Sequence, residues 1–237
     1  MHYPKTVLFR VLVVLGVLKC RRRCCKLPRH GLDPRIARDI TEVGFEELFK
    51  VPNLELDHVL ITALVERWHL GTHTFHLSHG EMGITLQDIK VMLGVPVDGL
   101  PVIGGVKLDW PRLCLELLGH CPPDLIPHPH ENMFILAGVG LRVTWLEAQF
   151  RGPLAADATN EVVQQHVRYH ILEQLGTILF MDKLVDRVSM MPLQFLNPIN
   201  NVKRYSWGSG ALAWLYRHLC KASEMKAMQI ERALMLV

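Results

Sequence analysis

Residues 72–99 read THTFHLSHGEMGITLQDIKVMLGVPVDG, and their first half has the pattern of a β-hairpin. Apolar residues alternate with polar or small residues on both sides of the tripeptide Ser78-His79-Gly80. A period of two is typical of paired strands joined by a short turn. The pattern therefore predicts a hairpin or small sheet near residues 72–85. Its apolar positions are Phe75, Leu77, Met82 and Ile84.

The second half of the same stretch predicts a capped helix. Thr85 stands three residues before Asp88, the spacing at which a hydroxyl and a carboxylate cap a helix start reciprocally. Gly94 and Pro96 indicate the helix end, because glycine adopts the left-handed cap and proline lacks a backbone donor. The predicted apolar face consists of Leu86, Ile89, Met92 and Leu93.

Further helices are indicated on both sides of this stretch by caps and by apolar residues spaced three or four apart. Asp33-Pro34 is typical of a helix start, and Gly71 of a helix end. The predicted apolar stripes are Ile36, Ile40 and Val43; Leu56, Leu60, Leu64 and Trp68; a short helix from Arg112 to Leu118; Leu141, Trp145, Leu146 and Phe150; Val163, Val167, Ile171, Leu175 and Ile178; and Leu212, Leu215, Tyr216 and Leu219. We expect the stripe from Val163 to run through the core.

These elements predict a mainly α (α+β) fold, a helical domain with a small β-hairpin or sheet. Four prolines make residues 121–131 a predicted surface loop, and Pro192 and Pro198 bracket a second irregular stretch. Residues 227–237 are helical in pattern without a terminating cap. Ser206 or Ser209 is the expected N-terminal cap of the helix that contains Leu212 and Leu219.

Four blocks of sequence, in order, resemble the plant mobile domain, a transposon-related family often labelled aminotransferase-like. The chain is most similar to its group of meristem-maintenance and phosphatase-7-long-form-homolog-like proteins. The blocks are GFEELFK to LITALVERW at residues 44–68, the stretch at 72–99, LGTILFMDK at 175–183 and YSWGSGALAWLYRHLC at 205–220. The likeness covers roughly residues 31–222.

The resemblance implies a non-enzymatic nuclear plant protein that acts with protein partners in chromatin or silencing complexes. Meristem maintenance, development and transposon silencing are the implied processes, and the resemblance supplies no catalytic residues. Two alternatives stay open: a nucleic-acid-binding domain of transposon origin, and a degenerate inactive copy. Since the family domain normally continues past residue 220 with further helices, we also expect a C-terminally truncated copy.

Charge divides the 237 residues into an apolar, basic leader at 1–30 and a domain at 31–237. The leader holds eight basic residues and no acidic ones, so the rest of the chain has 18 basic and 23 acidic residues and a net charge of −5. A mildly acidic body disfavours broad DNA binding unless its charges are segregated. The composition, 49% hydrophobic, is sufficient for a large core.

The sequence of the leader is compatible with more than one cellular compartment. Residues 7–18 form an apolar run that is interrupted by Arg10 and is shorter than a membrane span. It ends at a cysteine- and arginine-rich segment in place of a cleavage site. We expect the nucleus, with a membrane-associated or secretory location as the alternative if residues 7–18 act as a signal or anchor. A basic nuclear address and a gene-model artefact are further interpretations of the leader.

The search for catalytic groups predicts no catalytic and no cofactor-binding residue. Pyridoxal phosphate chemistry needs a lysine beside a phosphate-binding loop, and neither Lys90 nor Lys183 has one in sequence. Gly208-Ser209-Gly210 lacks the spacing of a serine nucleophile elbow, and Asp57-His58 is typical of a helix-surface pair. No metallophosphatase series of Asp, His and Asn is present. Despite the family label, we therefore expect no enzyme.

The sequence contains two groups of possible metal ligands, and neither is predicted to bind a metal. Cys114, His120, Cys121, His128 and His130 have an unsuitable spacing, and Cys114 is expected to be a buried apolar residue. His73, His76 and His79 should be kept apart by strand geometry. The six cysteines show no disulfide framework.

Two features bear on partners. Residues 85–95 are similar to the first helix and turn of a helix-turn-helix, but prolines and glycines occupy the place of a recognition helix. The aromatic residues Trp68, Tyr205, Trp207 and Trp214 are predicted core anchors first and partner contacts second.

Overall fold

The computed structural model describes residues 31–51, 58–105, 107–123, 140–150, 152–180 and 187–234, with the side chains of residues 58 and 225–234 left aside. Eight α-helices are named here within that part of the chain, together with five short strands. The helices are α1 (Pro34–Glu42), α2 (Glu46–Phe49), α3 (His58–Glu66), α4 (Leu86–Leu93), α5 (Trp110–Leu118), α6 (Val143–Phe150), α7 (Asn160–Gln174) and α8 (Trp207–Leu234). The strands are β1 (Trp68–His69), β2 (Thr74–Leu77), β3 (Gly80–Met82), β4 (Gly140–Arg142) and β5 (Arg187–Ser189). The prediction of a mainly α fold with a small sheet is confirmed.

The predicted hairpin is present as strands β2 and β3. Phe75 pairs with Met82 and Leu77 with Gly80, so Ser78 and His79 form the two-residue turn. Gly80 has a φ of +126°, which a residue with a side chain rarely adopts. Local alternation and turn chemistry were therefore sufficient to predict this element.

The helix expected to continue to Gly71 ends earlier, and this prediction was wrong at its C-terminal end. Helix α3 stops at Glu66, and Trp68 enters strand β1, where it pairs with Phe75. The indole of Trp68 packs edge-on against Phe75, with 4.9 Å between ring centroids. Since cross-strand aromatic pairing is a non-local interaction, spacing along the chain could not reveal it.

Helix α4 begins and ends as the sequence predicts. The Thr85 hydroxyl accepts from the backbone N–H of Asp88 at 3.2 Å, and the Asp88 carboxylate accepts from the N–H of Thr85 at 2.8 Å. Gly94 ends the helix with a φ of +66°. Helix α1 likewise starts at Pro34 after the Asp33 cap, and α5 ends at Gly119 in the left-handed conformation.

Helix α7 crosses the core, as predicted, and continues into a π-helical turn over Leu175–Leu179. Arg168 is 3% exposed and connects three parts of the chain. Its guanidinium donates to the backbone carbonyls of Leu117 and Leu196, at 3.1 and 3.2 Å, and to the Glu161 carboxylate. A buried cation persists where its donors are satisfied in this way.

Helix α8 packs its first turns against α4 and the segment that follows α4. The Gly208 N–H donates to the carbonyl of Pro96, and a Cβ on Gly208 would lie 2.6 Å from the Val97 side chain. Ser206, directly before the helix, donates its hydroxyl toward the Val97 carbonyl. Helix α8 continues to Leu234, so the residues predicted to be helical from 227 onward extend the same helix as far as the structure describes them.

A second sheet was not predicted. Leu141 pairs with Val188 across antiparallel strands β4 and β5. Helix α6 therefore begins at Val143, and the placement of Leu141 on that helix was wrong. The irregular stretch predicted around Pro192 and Pro198 contains 3₁₀ helices over Met191–Phe195 and Ile199–Arg204.

The buried apolar side chains form one continuous cluster that draws on helices α1, α4, α5, α7 and α8. Several predictions lie outside the described residues: the leader 1–30, most of the proline-rich loop, His128, His130, Asp57 and Lys183. Within the described chain, no helix combines the length and apolar character that crossing a bilayer requires.

Candidate functional site

A groove of about 420 Å³ lies between helix α8 and the irregular segments that precede it. Distant parts of the chain form its wall: residues 102–104, Phe180, residues 189–195 and the middle of α8. The apolar wall consists of Val102, Phe180, Met191, Pro192, Phe195 and Trp214. The volume is in the range of pockets that bind ligands or side chains of a partner.

One face of helix α8 supplies the rest of the groove. Trp214, Arg217, His218 and Lys221 are spaced three, four and seven residues apart and therefore share a face. Arg217 and Lys221 are exposed, while Trp214 and His218 are half-buried. The rings of Trp214 and His218 lie against each other, with 4.0 Å between centroids.

The lining of this groove is electrostatically one-sided. Arg217 and Lys221 are the lysine and arginine side chains that line it, and no acidic residue of the described chain does so. The body as a whole carries more acidic than basic residues, so the groove is a local concentration of positive charge. The net charge of the body could not reveal that basic side chains are grouped at this groove.

The four aromatic residues singled out from the sequence fall into two classes. Trp68 and Trp207 are buried, and Tyr205 is half-buried against Phe195 with 4.9 Å between centroids. Trp214 alone of the four lines the groove. Sequence reasoning missed the groove because its parts come from distant segments, although the aromatic and basic stripe on α8 was a visible signal.

The histidines near the hairpin do not converge. The ring of His73 stacks on Tyr216, that of His76 on His69, and His79 lies in the turn beside Ser78. Among the residues that the structure describes, no three His, Cys, Asp or Glu side chains are placed to hold a metal ion.

In the cysteine-containing group, Cys114 and Cys121 lie near each other, and His120 makes contacts of a different kind. Cys114 is buried and donates to the backbone carbonyl of His120 at 3.1 Å, while the His120 ring packs against Phe150. Burial raises the pKa of the Cys114 thiol to about 12, and nearby Cys121 adds to the rise. The expectation that Cys114 is a buried apolar residue is confirmed.

The remaining residues considered for catalysis, Lys90 and Ser209, both lie on helices outside the lining of the groove. Lys90 lies exposed on α4. Ser209 is the third residue of α8, and its hydroxyl contacts that of Ser206. The position that precedes α8 is that of Ser206, so of the two alternatives for the helix start Ser206 is the one that the structure supports.

Two titratable side chains with large pKa shifts lie on helix α7 and do not line the groove. Burial lowers the pKa of His170 to about 4, with the charge of His166 adding to the effect. Burial raises the pKa of Glu173 to about 7, Glu147 adds to the rise, and a hydrogen bond with Tyr169 opposes it. Each of the two is 6% exposed.

These shifts make folding stability depend on pH. The folded protein keeps a proton on Glu173 that the unfolded chain releases between pH 4.5 and about 7, so this residue lowers stability by about 3 kcal/mol as pH rises through that window. His170 acts in the opposite direction: stability is lost as pH falls from 6.5 toward 4.

We expect Glu173→Gln to be more stable than the unchanged protein at pH 8 by about 1–3 kcal/mol, because glutamine carries no charge to bury. The difference should shrink as pH falls toward 4.5. Urea unfolding at pH 4.5, 6 and 8 measures it, with exposed Glu116→Gln as the matched control. A stability gain that is equal at all three pH values would contradict the assignment.

Comparison with known protein families identifies the family of this chain. The plant mobile domain profile matches residues 44–237. The chain belongs to the plant mobile domain family. Membership makes it a transposon-derived plant domain, as the sequence blocks predicted. No solved structure matches this plant mobile domain.

Three curated relatives, all from Arabidopsis thaliana, are similar over most of this plant mobile domain. Serine/threonine-protein phosphatase 7 long form homolog is 39% identical over 207 residues, which cover 87% of this chain and 15% of that protein. Protein MAIN-LIKE 2 is 34% identical over 88% of this chain and 30% of its own length. Protein MAINTENANCE OF MERISTEMS is 32% identical over 88% of this chain and 42% of its own length. The chain thus spans well under half the length of these relatives.

Proposed function

We propose that this plant mobile domain is a non-enzymatic protein-interaction module of the plant nucleus, and that it binds its partners through the groove on α8. The observation that carries the proposal is the groove itself. An apolar wall that includes Trp214, together with the exposed cations Arg217 and Lys221, has the composition of a hot spot in a protein interface.

The distribution of titratable groups supports binding over catalysis. General acids and bases are found where a perturbed pKa lies in a cleft that substrate can enter. Among the residues that the structure describes, the strongly shifted pKa values belong to Cys114, His170 and Glu173, which are buried and do not line the groove. The groove instead presents permanent cations beside apolar surface, which suits recognition.

The relatives suggest the process in which the module acts. The name MAINTENANCE OF MERISTEMS assigns meristem maintenance to a protein that shares 32% identity with this chain. We extend that role to this chain as meristem maintenance or development together with transposon silencing. The proposed partners are proteins of chromatin or silencing complexes, and the proposed location is the nucleus.

Proximity labelling of the full chain in plant nuclei tests this proposal. We expect chromatin or silencing factors in the labelled set, and Trp214→Ala to reduce their recovery about tenfold, the effect of losing roughly 1.4 kcal/mol of binding energy. Leu115→Ala, an exposed apolar residue on α5 that does not line the groove, is the control and should label normally.

Two results would overturn the proposal: a labelled set without chromatin or silencing factors, or a set that Trp214→Ala leaves unchanged. The second outcome would show that the module is nuclear but that the groove is not its contact surface. A degenerate inactive copy predicts the first outcome.

Nucleic-acid binding is the second candidate function, and the cations on the groove rim favour it. It predicts binding of single-stranded or duplex DNA whose affinity falls steeply with salt. If the protein binds DNA at low ionic strength and Arg217→Gln lowers the slope of log affinity against log salt by about one, this alternative replaces the protein-interaction role.

A further inference from the structure

The groove on α8 has a chemistry that selects among protein partners. We propose that it binds a short extended peptide segment with one bulky apolar side chain followed or preceded by two carboxylates. The inference rests on the proposed function and deepens it, because it names the class of segment that the module recognises.

The apolar part of the groove favours a large hydrophobic anchor. Phe180, Phe195 and Trp214 contribute aromatic surface, and Met191 contributes a flexible thioether that adapts to different side chains. Leucine or phenylalanine of a partner would bury its surface here. Pockets that take up single side chains of a bound segment are a recurring feature of peptide recognition.

The spacing of the cations fits carboxylates on alternate residues of an extended strand. Arg217 and Lys221 are one helical turn apart, which is about 6 Å along the axis of α8. Side chains at positions i and i+2 of an extended peptide point the same way and lie about 6.6 Å apart. One carboxylate can therefore reach Arg217, whose guanidinium donates to both of its oxygens, while the second carboxylate accepts from Lys221.

The position of Trp214 sets the order of the motif. It precedes Arg217 by almost one turn on the same face, so the apolar anchor lies at one end and the two carboxylates follow the helix away from it. The pattern that fits is an apolar residue, any residue, an acid, any residue and an acid, in either chain direction.

Charge and ring packing favour this peptide over a polynucleotide. A stacking platform for bases needs an open aromatic face. Trp214 is half-buried, and one side of its ring lies against His218 at 4.0 Å. Beyond the groove, the net charge of −5 in residues 31–237 opposes a long polyanion but leaves a contact with two carboxylates attractive.

Fluorescence anisotropy with the full chain tests the inference. The probe is a fluorescein-labelled peptide, Gly-Ser-Leu-Phe-Ser-Asp-Ser-Asp-Gly, and the comparison peptide has Asn in place of both Asp. We expect the acidic peptide to bind at least tenfold more tightly than the amide peptide in 50 mM salt. Ten-nucleotide oligothymidine should bind more weakly than the acidic peptide.

Variants of the protein locate the contact. Arg217→Gln and Lys221→Gln should each lower the affinity for the acidic peptide about three- to tenfold and leave the affinity for the amide peptide almost unchanged. Lys203→Gln is the matched control, because Lys203 is exposed and does not line the groove. Trp214→Ala should weaken the binding of both peptides. Circular dichroism checks that this variant is folded.

Equal binding of the two peptides, or binding that survives Arg217→Gln and Lys221→Gln together, would overturn the inference. Tighter binding of oligothymidine that the same substitutions abolish would assign the groove to nucleic acid. If the acidic peptide fails while proximity labelling still depends on Trp214, the interaction role stands and only the partner chemistry is wrong.

Discussion

Trp207→Ala is expected to destabilise the protein by about 3–5 kcal/mol, the range for removal of a buried aromatic side chain. Trp207 is 0% exposed, and its indole lies edge-on to Phe45, with 5.6 Å between ring centroids, and to Phe195 at 6.0 Å. Its Nε1–H donates to the Val202 carbonyl at 2.9 Å. The substitution therefore opens a cavity where early and late parts of the chain meet. It also removes one of two donors to the Val202 carbonyl, which keeps the backbone N–H of Tyr205 at 3.3 Å.

Trp207→Phe is the informative companion. It keeps an aromatic ring in the cluster but removes the indole donor to Val202, so we expect a smaller loss of about 1–3 kcal/mol. Guanidinium unfolding followed by circular dichroism measures both variants. A loss below 1 kcal/mol for Trp207→Ala would show that the cluster around Trp207 is not packed as described.

Gly99→Ala is expected to cost about 3 kcal/mol or more. Gly99 has a φ of +120°, which an alanine rarely adopts, and a Cβ there would lie 2.3 Å from the backbone oxygen of Arg204. That oxygen cannot move freely, since it accepts from the N–H of Leu100 at 2.7 Å. The Ser206 N–H in turn donates to the Leu100 carbonyl at 2.8 Å.

Gly99→Ala thus lowers the free energy of unfolding because it forces the segment after α4 away from the residues that precede α8. Gly152→Ala is the matched control: its Cβ would meet no heavy atom within 4 Å. We expect that control to change the free energy of unfolding by no more than about 0.5 kcal/mol. Thermal and urea unfolding of the two variants give the comparison, and similar small effects of both would contradict the close approach at Gly99.

Features that depend on neighbouring residues were predicted well. The Thr85 and Asp88 cap, the turn at Ser78-His79 and the Gly94 helix end lie within a few residues of one another, so the groups that form them are visible together in the sequence. The predictions that failed concern strand pairing, which depends on a second segment and not on the local pattern alone. Trp68 and Leu141 fitted helical stripes, yet Trp68 pairs with β2, seven residues further on, and Leu141 pairs with β5.

The candidate site was beyond sequence reasoning for the same physical reason. Its stripe on α8 could be read from spacing, but that stripe alone is equally compatible with an ordinary solvated helix face. Val102, Met191 and Phe195 come from other segments and make the face one wall of a groove. The buried Arg168 and Glu173 are a further case, because their environment arises from packing around α7.

By itself the sequence determined the helical class, the hairpin, the capped helix and the family, because each is encoded in residues that are close together or in order along the chain. The tertiary structure alone decided that β4 pairs with β5, that Trp214 lines the groove while Trp68 and Trp207 are buried, and that the cations of α8 border an apolar groove. These outcomes depend on contacts between residues far apart in the chain, and the free energy of such contacts is set by packing and burial that no local pattern contains.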